Sequence, residues 1–276
     1  MDILEKEKLQ KSIDMYCQAK GFTSDDLSGK LGLSKTTISN IRNGKWSLLS
    51  DHRLRSVANM INTTILAGLY ETTDVQSVWT GLEKARKHRL MIGITGDTGL
   101  GKSTSCKAYT IRTEVFYYEY NYGDSPKTAL IDILREMGVK YEGTVTAMLS
   151  RLCEELNYME NPLLIIDECS KLKEQMIMML HSLRNRTQHN CGIALVGMPY
   201  FKNNLIREVN KETIGYAEFY RRIQMWHELR GLMPEEITYV LENNGITDKA
   251  TQNSFRKINR FGDLMNAITL HKSVNE

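Results

Sequence analysis

The run Gly96-Asp97-Thr98-Gly99-Leu100-Gly101-Lys102-Ser103-Thr104 sets glycines, a lysine and a hydroxyl in the spacing G-x-x-x-x-G-K-[ST]. Those residue types at that spacing suit the holding of a polyphosphate. Glycine lets the backbone curl until successive N–H groups point at phosphate oxygens. A helix beginning at Lys102 or Ser103 would turn its positive end toward the same anion. Lys102 would reach the outer phosphates, and the Ser103 hydroxyl would sit on magnesium. The bland alternative is a glycine-rich turn with no ligand. Against it, an apolar strand, Met91-Ile92-Gly93-Ile94, precedes the motif and a helix follows it, the context that a phosphate loop needs.

A second group of chemical residues closes the run Leu163-Leu164-Ile165-Ile166-Asp167-Glu168. Four apolar residues read as a buried strand with two carboxylates at its end. Ligands of open parallel sheets bind outside the carboxyl ends of the strands. Asp167 would help to hold magnesium, through water, because this ion dehydrates reluctantly. Glu168 would orient and polarise an attacking water. A helix cap after a core strand is the alternative for the pair, and its nearness to a phosphate loop weighs against that.

Residues 24–46 carry a different chemistry. Ser24 is expected to cap a short helix with Leu27 and Leu31 inward, and Gly32 to make a turn. Ser34 would cap a second helix with Ile38 and Ile41 inward, and Gly44 would end it. Two short helices across a tight turn are helix-turn-helix geometry. The stretch resembles the DNA-binding domains of phage-repressor type. That resemblance places Lys35, Thr36, Thr37 and Asn40 at the major groove. Arg42 and Lys45 would grip phosphates, which positions a protein without specifying sequence. Charge agrees: from 29 to 55, Lys30, Lys35, Arg42, Lys45, Arg53 and Arg55 face one acid, Asp51, a local +5 in a chain of net charge +3. Leu54, Val57, Ala58 and Ile61 fit one core face of a further helix, and Trp46 reads as packing. A helical protein-interaction module with a basic face is the alternative for the whole stretch.

These residues need elements to hold them. From about 75 to 231, short apolar strands alternate with amphipathic helices, which predicts a parallel sheet with crossover helices. The other strands are Val115-Phe116-Tyr117-Tyr118 and Ile193-Ala194-Leu195-Val196. From Pro234 onward only helical patterns remain, punctuated by Gly245-Ile246-Thr247-Asp248, with Gly262-Asp263 opening the last helix. The expected fold is α/β: a parallel sheet with a helical lid, preceded by an all-α helix-turn-helix domain. Its expected parts are a DNA-binding domain over 1–65, a linker over 66–80, a nucleotide-binding core over 81–231 and a lid over 232–276. The length of 276 residues supports about two domains, and 41% hydrophobic with 25% charged residues is ordinary globular usage. No apolar run approaches the roughly 20 residues of a membrane helix. The charged N-terminus lacks a signal-peptide core. Cys17, Cys106, Cys153, Cys169 and Cys191 are scattered and read as reduced thiols, not a zinc site. The run Glu83-Lys84-Ala85-Arg86-Lys87-His88-Arg89 is either a solvated helix face or a phosphate contact. The methionines Met176, Met178 and Met179 read as core filling.

The phosphate loop, the Asp-Glu strand end, the further strand and the helical lid resemble the AAA+ ATPases. The resemblance implies ATP and Mg²⁺ as cofactors, and cytoplasmic, DNA-associated work in a bacterial host cell. It also implies an arginine finger before the lid. Glu218-Phe219-Tyr220-Arg221-Arg222-Ile223 is similar to that region, with Arg222 the first choice and Arg221 the second. Gly197-Met198-Pro199 lacks the polar side chain such strands usually carry. Met265 stands where the lid usually offers an arginine after Gly262-Asp263-Leu264; Arg256 or Arg260 would have to substitute. Lys171 and Lys173 fall where ATPases of this class touch DNA. A helix-turn-helix followed by one such module resembles the MuB family of transposition target-selection proteins. That resemblance implies a homo-oligomer or filament on double-stranded DNA, delivery of target to a transposase, and stimulation of transposition. An ATP-responsive transcription regulator and a helicase loader or replication initiator are the alternatives.

Overall fold

The computed structural model describes residues 6, 7, 9–11, 13, 14, 17, 22–31, 33–50, 54, 57, 69–110, 112 and 114–275. Gly32, Asp51, Arg53, Arg55, Ala58, Ile61 and the Asn62-Thr63-Thr64 connector lie outside the described residues, as do the side chains of Lys30 and Leu31.

The centre is a parallel sheet of five strands: β1 Met91–Thr95, β2 Val115–Glu119, β3 Leu163–Asp167, β4 Gly192–Gly197 and β5 Ile223–Glu228. Their order is β2-β3-β4-β1-β5. Strands β1, β3 and β4 are buried along their whole length, as continuous apolar runs in a sheet covered on both faces should be. Side chains alternate between the faces. Leu164 and Ile166 of β3 face α5 Pro126–Glu136, α6 Val145–Tyr158 and α7 Glu174–Thr187, sharing a cluster with Leu130, Leu152 and Leu180. Leu163 and Ile165 share the opposite cluster with Val78 and Leu82 of α3 Thr73–His88 and Cys106 of α4 Lys102–Tyr109. Met176 and Met179 are buried, so these methionines do fill core.

Strand β5 is the one the sequence does not announce. It sits at a sheet edge, and Gln224, His227 and Glu228 break its apolar pattern. Helix α3 starts where Thr72 caps it, accepting from the Val75 N–H, so residues 73–80 are helical where the linker was expected. It lies close against β4: a Cβ at Gly192 would stand 2.4 Å from the Ala85 carbonyl oxygen.

Past the sheet come α8 Pro199–Asn210 and α9 Tyr216–Arg222, and then three lid helices. These are α10 Pro234–Asn243, α11 Lys249–Phe255 and α12 Phe261–Asn275. They close on Leu232, Ile237, Leu241, Phe255 and Leu264, with Tyr70 packed against the cluster. No helix among the described residues is long and apolar enough to cross a membrane.

The N-terminal unit contains α1 Ser24–Leu31 and α2 Lys35–Arg42. Leu27, Ile38, Ile41, Leu54 and Val57 are buried together with Leu9 and Ile13, and Trp46 packs against them. Ser34 caps α2 as expected, accepting from the Thr37 N–H. The cap of α1 is Thr23, not Ser24: the Thr23 hydroxyl accepts from the Asp26 N–H at 3.2 Å, while Asp26 accepts from the Thr23 N–H at 2.8 Å.

Candidate functional site

The phosphate loop leaves the carboxyl end of β1 and enters α4 at Lys102. Gly99 and Gly101 hold φ values of +79° and +84°, left-handed backbone that a side chain disfavours. Thr98, Gly99, Gly101, Lys102, Ser103 and Thr104 line a cavity of about 220 Å³, and Asp167 and Glu168 close its far side. Strands β1 and β3, parallel and separated only by β4, thus bring together the two motifs that lie far apart in the chain. Gly96, Asp97 and Leu100 line the neighbouring cleft instead, together with Arg260.

Lys102 is buried, and its ammonium donates to the carbonyls of Gly96 and Asp97, each at 2.7 Å. Burial pulls its pKa below the ordinary lysine value, opposed by the carboxylates of Asp167, Glu168 and Asp97. A phosphate entering the cavity would replace neutral carbonyl partners with charged ones, the stronger kind of hydrogen bond.

Asp167 has one protein partner at each oxygen. It accepts from the Glu168 N–H at 2.7 Å and from the Tyr117 hydroxyl at 2.7 Å. Burial, and next the Asp167 charge, push the Tyr117 phenol far up, so it stays a donor. Tyr117 is a site residue that the sequence reading missed. It pairs with Ile165 in register, two residues before Asp167, and nothing in the sequence states that β2 lies beside β3. Glu168 adopts a left-handed conformation, φ +59°, and pairs with Lys171 at 2.9 Å. That hydrogen bond raises the Lys171 pKa. Lys173 sits over the exposed Tyr122 ring, 4.5 Å from its centroid. The Gly197-Met198 strand end has no polar side chain of its own, yet the Ser170 hydroxyl lies under it and accepts from the Met198 N–H at 2.6 Å.

The lid touches the phosphate loop directly. The Gly262 N–H donates to the Gly99 carbonyl at 2.8 Å, and Arg260 pairs with Asp97 at 3.2 Å. Of the two arginines considered as substitutes in the lid, Arg260 is the one at the loop. Buried Asp74, at the start of α3, accepts from the N–H groups of Arg230 and Gly231 where core passes into lid. Next to it, the Tyr70 ring packs on Tyr239 and Phe261 of the lid, with centroids 6.0 and 5.6 Å away. The Asn244 amide donates to the Tyr70 hydroxyl at 2.9 Å. Leu69, Tyr70, Leu100, Gly101 and Phe261 line a small apolar cleft of about 20 Å³ beside the phosphate loop.

Arg221 and Arg222 do not join this site. They end α9 and precede β5, at the opposite end of the sheet from the loop. Arg222 is half-buried and donates to the Gln188 side chain at 3.0 Å, whereas Arg221 is exposed.

On α2, Lys35 and Thr36 are exposed, as is Lys45 beyond it, and Asn40 is half-buried. Lys35 pairs with Asp25 at 2.6 Å. Two residues depart from the groove-facing reading. Thr37 is buried, and its hydroxyl lies 2.8 Å from that of Ser34, because it stands one turn into the helix and faces the cap. Arg42 is turned into its own domain, donating to Asp14 at 2.8 Å and to the Ser24 hydroxyl at 2.9 Å. All five cysteines are free and buried, and burial pushes the Cys191 thiol up to about 12, which makes it a poor nucleophile. Among the described residues no group of three or more His, Cys, Asp or Glu side chains is placed to hold a metal.

Residues 85–205 match the family model described as an AAA domain. Residues 12–73 match the Cro/C1-type HTH DNA-binding domain. No curated protein gives a significant match. Among solved structures, C. elegans PCH-2 is similar at 15% identity and a TM-score of 0.37, over 64% of this chain and 48% of that one. NtrX from Brucella abortus, solved in complex with ATP, is similar at 12% identity and a TM-score of 0.49, over 84% of this chain and 58% of that one. The present chain therefore spans less than two thirds of the length of either structure.

Proposed function

We propose that this chain, in which a Cro/C1-type HTH domain precedes an AAA-type ATPase domain, is an ATPase whose hold on duplex DNA is set by ATP. It assembles with copies of itself along the duplex and presents target DNA to a transposase. The observation that carries the ATP control is the segment Leu69–Asp74. It lies between the two domains in the chain, walls the cleft beside the phosphate loop, holds the lid through Tyr70 and holds the turn just before the lid through Asp74. A nucleotide base seated in that cleft would lie against Tyr70 and against Phe261 of the lid, so its binding would bear on both. A ligand shifts an equilibrium only through different contacts in its two states, and this segment supplies such contacts.

The donor set fits the cofactors. Left-handed glycines and a lysine with only carbonyl partners suit a polyphosphate, and the Ser103 hydroxyl with the Asp167 carboxylate suit Mg²⁺, a hard cation that keeps most of its water. That ion would supply charge neutralisation at the phosphates. Lys102 holds the outer phosphates, Tyr117 fixes Asp167, and Glu168 polarises the attacking water. Lys171, paired with Glu168 at 2.9 Å, is also offered with Lys173 to DNA phosphate.

The transposase assignment rests on the resemblance of the domain order to the MuB family. The Cro/C1-type match favours a second reading, a regulator that reads one operator. Electron microscopy of the full chain with random-sequence duplex separates the two. Filaments that require ATP support assembly along DNA. Discrete complexes confined to one sequence would replace it with the regulator.

A further inference from the structure

Outside the nucleotide site, α3 and the turn after α4 enclose an open trough of about 480 Å³. Lys84, Lys87 and His88 stand exposed on its rim. None of the three forms a salt bridge among the described residues. Its floor is a fixed cation. The Arg112 guanidinium lies 4.0 Å from the Tyr109 ring centroid and 5.6 Å from that of Trp79. The Trp79 indole is itself held, donating to the Ser105 carbonyl at 3.0 Å. The one acid in the trough, Glu83, is already occupied by the Tyr109 hydroxyl.

A basic helix face is by default a solvated one, and two features set this face apart. Stacking holds Arg112 in place, so less side-chain freedom is lost when it meets an anion. The rim cations also lie along one face: Lys84 and Lys87 are three residues apart on α3, separated by a rise of about 4.5 Å. The charge and shape fit a phosphodiester backbone, and nothing in the trough reads base edges.

We propose that this trough is a second, sequence-independent DNA contact, in which Lys84, Lys87, His88 and Arg112 hold the backbone of the same duplex that α2 reads. The proposal rests on the reading of the N-terminal domain as a DNA binder. Linking the two sites makes the second contact intramolecular, so a weak trough adds substantially to the grip.

The test uses the full chain with ATP and a labelled random-sequence duplex, by fluorescence anisotropy across a salt series. The charge-reversing pair Lys84→Glu and Lys87→Glu is expected to weaken binding at least tenfold. The log–log salt slope should become shallower by about two or more, while affinity for a labelled ATP analogue stays unchanged and so reports an intact fold. Arg112→Ala should weaken DNA binding several-fold with the same unchanged ATP affinity. If the reversed pair binds duplex with wild-type affinity and slope while Thr36→Ala with Asn40→Ala does not, the trough is refuted and the N-terminal reader stands. If wild-type protein has no affinity for duplex at all, both fall.

Discussion

At the residue scale, the nucleotide site assigns binding and chemistry to different side chains. Lys102 is tied to its own loop through two carbonyls and is poised to exchange them for phosphate oxygens. Glu168 lines the cavity across from the loop and is paired with Lys171. The two residues should therefore fail in different ways. Lys102→Ala is expected to lower ATP affinity by about 100-fold or more, because a charge-assisted contact to phosphate is lost. Glu168→Gln is expected to keep ATP affinity within a few-fold while turnover falls by about 10² to 10⁴, the range of a general-base contribution. Titration with a fluorescent ATP analogue and a phosphate-release assay separate the cases. Wild-type turnover by Glu168→Gln would assign the water to another group.

At the scale of elements, the joint between core and lid depends on one carboxylate. Asp74 accepts two backbone N–H groups at 3.1 and 2.8 Å, from Arg230 and Gly231. Asp74→Ala leaves the buried Gly231 N–H unpaired, at about 1–3 kcal/mol, and frees the part-buried Arg230 N–H, which water can reach. The expected result is a loss of about 1–3 kcal/mol in urea unfolding, with faster hydrogen exchange at the Arg230 and Gly231 amides. Protection at those amides equal to wild type would contradict the assignment. Elements of this kind mark the boundary of what the sequence makes legible. β1, β3 and β4 are readable because burial on both faces demands unbroken apolar runs. β5 hides because an edge strand tolerates Gln224 and Glu228. The phosphate loop and Asp167-Glu168 could be read because backbone chemistry fixes their spacing. Tyr117, Ser170, Tyr70 and Asp74 could not, since each acts across a strand pairing or a domain joint that only the fold creates. Thr37 and Arg42 show the converse: the right residue types in a recognition helix, turned inward by a cap and by Asp14.

At the scale of the whole molecule, one chain keeps its arginine pair and its phosphate loop apart. The nucleotide cavity opens at the carboxyl ends of the strands, while Arg221 and Arg222 stand at the amino end of β5. Neither can reach its own phosphate loop, so a finger drawn from this pair must serve a neighbouring chain. The geometry also reorders the pair: Arg222 is held by Gln188, which leaves exposed Arg221 the freer to project across a subunit boundary. An arginine supplied in trans is worth about 10³ to 10⁵ in rate. Two outcomes follow from that. Wild-type ATPase activity per chain should rise with protein concentration, and more steeply on DNA, where chains are brought side by side. Arg221→Ala, which keeps an intact phosphate loop, should be nearly inactive alone, as should Lys102→Ala, which keeps an intact arginine. Mixed together they should regain turnover, since each Arg221→Ala loop can be served by the arginine of a Lys102→Ala neighbour. Specific activity flat with concentration, together with no recovery on mixing, would show that each chain completes its own site and would separate hydrolysis from assembly.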